Sequence, residues 1–185
     1  MQYFEKEYDC TGIDINKDSL VVAQRKLQKT KLQPGNMISF DLKQQYDIIL
    51  CLFSSIGYVK TYENLQKTMN QFSNHLLKGG LVIIEPWFTL DSFKVGTVHT
   101  DTYKDENINI VRMNVSKRVR NLSILDMHYL IGKKGDKVEH FTDRHELGLF
   151  ERKQTLECMT KAGMESQFFE DGLMRDRGLY IGVKK

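Results

Sequence analysis

Residues 47–58 read DIILCLFSSIGY, an apolar run that ends in two serines, a glycine and a tyrosine. A short apolar run of this kind is typical of a strand in a parallel sheet whose two faces are covered by helices. Open α/β sheets bind their ligands beyond the carboxyl ends of the strands. The stretch therefore predicts a buried parallel strand from Asp47 to Phe53, with Leu52 to Tyr58 at the ligand-binding edge.

Upstream of this stretch, the pattern predicts a strand, a helix and a break. Thr11 to Ile15 is a β-rich run, and Asp18 to Lys29 carries apolar residues at helical spacing. Pro34 and Gly35 interrupt the chain before a short segment from Met37 to Phe40.

Downstream, strand and helix continue to alternate. Thr61 is in position to cap a helix that Gly79 and Gly80 are expected to end, and Leu81 to Ile84 follows as another buried strand. Alternating strands and helices predict a layered α/β fold.

The pattern changes after Pro86. An antiparallel ribbon is predicted by three runs that alternate with period two: Ile108 to Val119, Ser123 to Ile131 and Val138 to Leu149. We expect a helix from Glu151 to Lys161 and two further strands, Ser166 to Glu170 and Gly178 to Val183, to follow the ribbon.

The length and composition fit one globular domain. The chain has 185 residues, of which 41% are hydrophobic and 28% are charged, and about 150 residues already bury roughly two-thirds of their unfolded surface. We expect a single domain over residues 1–185, with a cofactor-binding part at 1–90, an antiparallel insertion at 91–150, and a C-terminal helix and strands at 151–185.

Several classes of function are not indicated. Neither end resembles a secretory signal, and the longest apolar runs have strand length, so we expect a cytoplasmic protein without a membrane span. The net charge of +3 is small and its basic residues are scattered, so no nucleic-acid partner is predicted. The three cysteines are isolated, and neither a disulfide framework nor a metal site is expected.

The residues just after the predicted strands are the candidate site residues. Asp14 ends the first strand, where a carboxylate can accept both hydroxyl hydrogens of a ribose, although it could instead serve only to start the next helix. Glu85, Pro86 and Trp87 leave another strand, and Pro86 turns Trp87 out over the sheet edge. A packed aromatic cluster is the alternative for Trp87.

Other polar residues are less distinctive. Arg175 and Arg177 precede the last strand and could grip a phosphate or carboxylate, or could form a solvated surface pair. The five histidines show no nucleophile elbow or HExxH motif, so they are expected to be ordinary hydrogen-bonded residues.

The order of these motifs resembles that of class I S-adenosylmethionine-dependent methyltransferases. The motifs are GIDINKDSL at 12–20, GNM at 35–37, YDII at 46–49, LFSSIGY at 52–58, LKGG at 77–80 and EPW at 85–87. With ELGLFE at 146–151 and RGLYIG at 177–182, the likeness is greatest to the dTDP-3-amino-sugar N,N-dimethyltransferases, over nearly the whole chain.

This resemblance implies S-adenosylmethionine as the cofactor and a role for individual residues. The implied cofactor-binding residues are Asp14, Ile15, Asn36, Met37, Leu52 and Phe53, with Asp14 on the ribose and the pair Asn36 and Met37 beside the adenine. Tyr58 is implied as the catalytic residue near the reacting amine. The implied substrate-binding residues are Ser55, Glu85, Trp87 and Arg177. The ribbon matches an added sheet through which family members can pair into homodimers.

One family feature has no counterpart in this sequence. Family members begin with helices and a strand that ends in a glycine-rich loop, and the resemblance implies that this strand lies between the strands at 11–15 and 47–53. Its absence would leave two central strand edges unpaired. We therefore expect a Rossmann-like class I methyltransferase sheet that lacks its first strand, completed by residues upstream of Met1 or by another chain.

The sequence thus predicts methyl transfer to a small molecule, with the amine of a nucleotide-linked amino sugar, such as a dTDP-amino sugar, as the acceptor. Two alternatives remain open. An acid at a strand end also fits an NAD(P)-linked oxidoreductase, which the spacing of upstream glycines would distinguish. A non-catalytic methyltransferase remnant that acts through association would follow from the missing loop, and cofactor binding would distinguish it from an enzyme.

Overall fold

The computed structural model describes residues 1–174 and 176–185. Within these residues it contains three α-helices, two short 3-10 turns and eleven strands. The helices are α1 (Lys17–Lys26), α2 (Tyr62–Asn74) and α3 (Arg152–Lys161), and the 3-10 turns are Phe4–Lys6 and Ser55–Val59. The strands are β1 (Thr11–Asp14), β2 (Lys31–Pro34), β3 (Tyr46–Cys51), β4 (Leu76–Ile84), β5 (Val98–Lys104), β6 (Ile108–Val115), β7 (Lys117–Val119), β8 (Leu122–Lys133), β9 (Glu139–Gly148), β10 (Met164–Phe169) and β11 (Leu179–Lys184).

The strands form three sheets. β1 and β2 make a parallel pair, while a second sheet has the order β10-β11-β4-β3, in which β3 and β4 are parallel and β10 and β11 are added antiparallel. The third sheet is the antiparallel ribbon, built from β5, β6, β7, β8 and β9. The α/β fold with an added ribbon is confirmed. Within the described residues, β1 and β3 each pair with one strand only, which matches the two open edges expected from the sequence.

Helix α2 carries the apolar face that packs the second sheet. Thr61 caps it as predicted, because its Oγ1 accepts a hydrogen bond of 3.2 Å from the Asn64 N–H. Leu65, Met69 and Phe72 recur at helical spacing and are buried in the main core.

The predicted end of this helix at Gly79 and Gly80 is wrong. The helix ends at Asn74, and both glycines lie inside β4, whose pairing with β3 shifts register after Tyr46. Gly79 has a φ of 81°, and a Cβ on Gly80 would lie 2.9 Å from the carbonyl oxygen of Leu77. The two glycines allow an irregular strand, although they look like a helix-ending signal in the sequence.

Two strands were not predicted. β2 runs from Lys31 into Pro34, one of the two residues expected to break the chain, and β5 precedes the predicted ribbon. Every residue of β5 is exposed, so it lacks the apolar alternation that identifies a strand. The segment Met37–Phe40 forms a turn, and the run Ile108 to Val119 divides into β6 and β7.

The structure has two apolar clusters. The main core joins α2, α3, β3, β4, β10 and β11. A smaller cluster of Phe93, Leu125, Leu147 and Leu149 joins the ribbon to the aromatic residues that follow β4. The ribbon is therefore held against the edge of the sheet at which the candidate site lies.

One face of β3 is more open than predicted. Ile48 is 49% exposed and Leu50 is 41% exposed, although the sequence indicated a strand covered on both faces. Because β1 and β2 form a separate pair, no described element covers this face of β3 completely.

The cysteines agree with the sequence interpretation of isolated thiols. Cys51 and Cys158 are buried, Cys10 is half-buried, and all three are free. Burial raises the pKa of the Cys51 thiol to about 12, which makes it unreactive. Within 1–174 and 176–185, no helix has both the length and the apolar character needed to cross a membrane.

Candidate active site

Asp14 lies at the carboxyl end of β1 with one free carboxylate oxygen. Its Oδ1 accepts the backbone N–H of Asn16 at 2.8 Å, and within the described residues its Oδ2 accepts no hydrogen bond. Asn16, whose side chain accepts two N–H groups of the first turn, caps α1. The helix therefore has its own cap, and the exposed carboxylate of Asp14 remains available to a ligand.

The parallel pairing of β1 with β2 brings the next candidates to the same edge. Asp14 lies opposite Pro34, and the Gly35 N–H donates to the Asp14 carbonyl at 3.0 Å. Asn36 follows on the exposed turn, where its Oδ1 accepts the Ile38 N–H at 3.0 Å. The structure thus brings Asn36 close to Asp14 in the fold.

Two apolar candidates flank this edge. Met37 is partly buried against the main core, whereas Ile15 is 73% exposed just beyond β1. Both are in position to border a ligand held by Asp14 and Asn36, although neither makes a polar contact of its own.

The chain leaves β3 through two consecutive left-handed residues. Phe53 and Ser54 have φ values of 54° and 57°, a conformation that costs non-glycine residues about 1–2 kcal/mol each. The Phe53 N–H donates to Glu85 Oε2 at 2.7 Å, which holds the turn in place. As a result Phe53 projects outward and is 80% exposed, while Leu52 stays half-buried.

Ser55 is used inside this turn. Its hydroxyl donates to the Leu52 carbonyl at 2.7 Å. Ser54, which was not predicted, has the more connected side chain, because its buried hydroxyl donates to the Pro86 carbonyl and accepts from Arg177.

Arg177 lies across the aromatic residues that follow β4. Its guanidinium carbon is 4.5 Å from the Trp87 ring centre and 5.0 Å from that of Phe88, and Nη1 donates to Ser54 Oγ at 2.6 Å. Partial burial lowers the pKa of Arg177, and the nearby Glu85 carboxylate opposes that effect. Arg177 is therefore a half-buried cation within the site, whereas Arg175 lies outside the described residues.

Trp87 belongs to a packed aromatic cluster, the alternative that the sequence left open for it. It packs with Phe88 and Phe93 in an aromatic cluster, and its Nε1 donates to Ser123 Oγ of β8 at 2.8 Å. The Arg177 guanidinium lies over the Trp87 ring. The tryptophan thus links the ribbon to the sheet and contacts the candidate residue Arg177.

Glu85 is a buried carboxylate with an unsatisfied oxygen. It is 1% exposed; Oε2 accepts the Phe53 N–H, and Oε1 is buried without a partner within the described residues. An unpaired buried acceptor costs roughly 1–3 kcal/mol. A ligand that donates a hydrogen bond here would remove that cost.

Tyr58 projects from the 3-10 turn Ser55–Val59 toward the ribbon. Its hydroxyl is 2.6 Å from His145 Nδ1, and His145 Nε2 is 3.0 Å from Asp143 Oδ2. Burial and the Asp143 charge raise the pKa of Tyr58, so the phenol keeps its proton. The sequence interpretation treated His145 as an ordinary histidine and did not identify Asp143; their period-two spacing on β9 was the available signal.

Gly57 explains how Tyr58 is held. A Cβ at this position would lie 3.0 Å from the Leu147 side chain and 3.3 Å from Trp87 Cβ, so glycine lets the turn approach both residues closely without displacing them. The contact connects Tyr58 to the cluster that carries Arg177.

The predicted site residues therefore fall into two groups. Asp14, Ile15, Asn36 and Met37 lie beyond β1 and β2. The second group lies beyond β3 and β4 and before β11, and it consists of Leu52, Phe53, Ser55, Tyr58, Glu85, Trp87 and Arg177. In the described ranges, no set of three or more His, Cys, Asp or Glu residues could hold a metal ion.

Comparisons with known proteins show the family to which the chain belongs. Residues 1–84 match a family model described as a methyltransferase domain. The chain is 32% identical over 184 residues to dTDP-3-amino-3,4,6-trideoxy-alpha-D-glucopyranose N,N-dimethyltransferase of Streptomyces venezuelae, which covers 99% of this chain and 77% of that protein. The similarity therefore extends over most of both chains.

Two solved structures are similar over nearly all of the chain. The crystal structure of Streptomyces venezuelae DesVI has a TM-score of 0.94 at 32% identity, covering 100% of this chain and 78% of that one. CalS10, an amino pentose methyltransferase from Micromonospora echinaspora solved with S-adenosylmethionine bound, has a TM-score of 0.88 at 25% identity, covering 98% of this chain and 77% of that one.

Proposed function

Since this chain belongs to the family of S-adenosylmethionine-dependent methyltransferases that contains the dTDP-amino-sugar N,N-dimethyltransferases, we propose that its acceptor is the amine of a nucleotide-linked sugar. The reaction class and the cofactor follow from the family. The proposal for the acceptor rests on one observation, the connected cluster of residues beyond β3 and β4. In that cluster a half-buried Arg177, the unpaired carboxylate oxygen of Glu85 and the turn that carries Tyr58 all adjoin Trp87 or its neighbours.

The residues beyond β1 and β2 fit the nucleoside part of S-adenosylmethionine. Asp14 has a free carboxylate oxygen that can accept a ribose hydroxyl, and Asn36 lies nearby on the same edge to border the adenine. Phe53, exposed at the end of β3, offers an apolar surface for the methionine part. When bound, the cofactor supplies an electrophilic methyl group, and this chain's residues position the acceptor and exclude water.

Arg177 is suited to the nucleotide part of the acceptor. One guanidinium nitrogen is used by Ser54, and within the described residues the other two donate no hydrogen bond. These two nitrogens remain available to donate hydrogen bonds to a phosphate, whose oxygens match the planar geometry of the guanidinium group. Stacking on Trp87 and Phe88 holds the guanidinium in one orientation, so less freedom is lost when it binds.

Glu85 and Tyr58 are suited to the sugar and its amine. The unpaired Oε1 of Glu85 can accept a hydrogen bond from an N–H or O–H group. Tyr58, still exposed at 46%, can contact a ligand beside the ribbon. Holding a neutral amine at reactive distance from the methyl group can contribute roughly 7–11 kcal/mol to lowering the barrier.

Steady-state kinetics test this proposal. We expect methyl transfer to a dTDP-3-amino sugar with a kcat/KM well above that for free amino acids or simple amines. Arg177→Ala should raise the KM for the sugar nucleotide about 10- to 100-fold with little change in kcat, because a grip on a remote group acts equally in the ground and transition states.

The matched control is Arg118→Ala, which removes an exposed arginine on β7 and should leave the KM unchanged. A preference for the free amines would exclude the sugar-nucleotide acceptor and leave only the general methyltransferase activity. Equal KM values for the Arg177→Ala and Arg118→Ala variants would remove Arg177 from the acceptor site.

We further propose that the protein works in the cytoplasm, that it does not act on nucleic acid, and that two copies pair through the ribbon. Sedimentation at several concentrations tests the pairing.

A further inference from the structure

Tyr58, His145 and Asp143 form a connected chain of hydrogen bonds that the proposed function does not yet use. Asp143 is a carboxylate and can only accept, so His145 Nε2 carries the hydrogen of the 3.0 Å contact. The other ring nitrogen, Nδ1, is then an acceptor, and the Tyr58 hydroxyl donates to it across 2.6 Å. Both hydrogen bonds of this chain therefore point in one direction, from the candidate site toward Asp143.

The fold holds this chain in place from both sides. Asp143 and His145 lie two residues apart on β9, so they project from the same face as Leu147. Leu147 contacts the Gly57 backbone, next to Tyr58, so close packing sets the distance between the tyrosine and the histidine. The side chain of His145 is 24% exposed, which leaves it in reach of water.

The surrounding ionisable groups are few. Tyr129 of β8 interacts electrostatically with Tyr58, as does Asp143. Arg144 and Glu146 project from the opposite face of β9, where Glu146 forms an ion pair with Lys60, the residue that follows the turn. The negative charge of Asp143 is therefore the partner that would stabilise a protonated His145.

We propose that these three residues form a proton relay that deprotonates the acceptor amine before each methyl transfer. The inference rests on the proposed function, since it takes an amine as the acceptor. An amine bound as its ammonium form has no lone pair for attack and must first lose a proton. Tyr58 contacts the amine, while His145 and Asp143 act through Tyr58 as positioning residues.

The proton steps balance without another reactant. The ammonium N–H bond breaks, and its proton passes to the Tyr58 oxygen as the phenol proton passes to His145 Nδ1. Tyr58 ends as a neutral phenol, His145 becomes an imidazolium beside Asp143, and the amine keeps the electron pair. The neutral amine then attacks the methyl group, and His145 returns its proton to water. The methylated product is again an ammonium ion, so the relay works in the same way before a second transfer.

The first test is the pH dependence of kcat with a saturating dTDP-amino sugar. His145→Gln can still accept a hydrogen bond from Tyr58 but cannot take up a proton. We expect kcat at pH 7 to fall about 10²-fold and to recover as the pH rises toward 9, because the amine then loses its proton to solvent. In the wild type, kcat should fall toward acid pH, since an imidazolium cannot accept a second proton.

Matched variants separate the relay from a structural effect. Asp143→Asn keeps a hydrogen-bonding side chain at an exposed position but removes the charge, and it should reproduce part of the loss with an unchanged unfolding midpoint. His140→Gln changes another histidine of β9, whose ring stacks on His128 away from Tyr58, and it should retain the wild-type profile.

Nitrogen NMR of the imidazole gives a readout that does not depend on activity. In the wild-type protein at neutral pH, Nε2 of His145 should carry the hydrogen and Nδ1 should be unprotonated. Asp143→Asn should lower the population of this tautomer. A hydrogen on Nδ1 in the wild type would overturn the relay, as would a wild-type pH profile in His145→Gln. If the wild type methylates no amine, the proposed function itself fails and the relay fails with it.

Discussion

At the scale of single residues, Asp14 and Asn16 have separate roles at the end of β1. Asn16 caps α1 through its side-chain oxygen, and Asp14 uses one oxygen to fix the Asn16 backbone. The second oxygen of Asp14 faces solvent at the edge where open α/β sheets bind ligands. This division is what makes Asp14 the best candidate to hold the cofactor ribose.

We expect Asp14→Ala to weaken S-adenosylmethionine binding by about 1.5–3 kcal/mol, which corresponds to about 10- to 100-fold in Kd. The reason is the loss of hydrogen bonds between a charged carboxylate and the ribose hydroxyls. Titration calorimetry measures the change. Asp18→Ala, which removes an exposed carboxylate from the first turn of α1, should leave the Kd unchanged, and equal affinities of the two variants would exclude Asp14 from the site.

Sequence reasoning could nominate candidate residues where a strand end marks them. Asp14 and Phe53 lie at the ends of predicted strands and Trp87 follows another, so their position beyond the carboxyl ends of strands follows from topology. His145 could not be found in this way, because it meets Tyr58 across 87 residues through the packing of the ribbon. Contacts of that kind depend on tertiary structure, which no local pattern encodes.

At the scale of elements, Gly57 lets the turn after β3 and the ribbon strand β9 come into direct contact. A methyl group at Gly57 would lie 3.0 Å from the Leu147 side chain, so that side chain or the turn would have to shift. We expect Gly57→Ala to lower the free energy of unfolding by about 1–3 kcal/mol, the usual cost of overpacking, and to lengthen the hydrogen bond between Tyr58 and His145.

Urea denaturation followed by circular dichroism measures this change in stability. Gly132→Ala is the matched control, because a Cβ there has its nearest atom, from Val138, at 3.9 Å. This second variant should unfold at the wild-type midpoint or slightly above it. Identical midpoints for both variants would show that the contact at Gly57 can relax without cost.

The sequence predicted elements well where a periodic apolar pattern exists. α2, α3 and β8 follow such patterns, and their bounds agree with the predictions to within a few residues, except at the end of α2. Exposed strands such as β2 and β5 have no buried face, so their sequences lack the alternation of apolar and polar residues that identifies a strand. The end of α2 was wrongly predicted at Gly79 because a glycine with positive φ occurs both after a helix and in an irregular strand.

At the scale of the whole molecule, the open side of β3 is an exposed apolar surface beside a strand edge that is unpaired within the described residues. Ile48 and Leu50 lie there, and β3 has a single strand partner within the described residues. Open edges with apolar neighbours are templates for association with another strand. We therefore expect the 185-residue chain, produced alone, to associate increasingly with concentration.

Leu50→Lys should reduce this association, because a charge beside the edge opposes strand pairing. Leu77 has nearly the same exposure, 42% against 41%, but lies near the start of β4, so Leu77→Lys serves as the control and should have a much smaller effect. Sedimentation velocity over a range of concentrations measures the difference. Equal behaviour of the two variants would mean that the edge of β3 does not drive the association.

The hydrogen bond from Arg177 to Ser54 also has a consequence for the order of folding. It joins residues 123 positions apart, and β11, which follows Arg177 directly, lies between β4 and β10 in the sheet. Contacts with such large sequence separation form late, because the entropy of closing the loop is lost before the contact stabilises the chain. A nascent chain can build β3, β4 and α2 while still on the ribosome, whereas the proposed acceptor side of the site has to wait for β11.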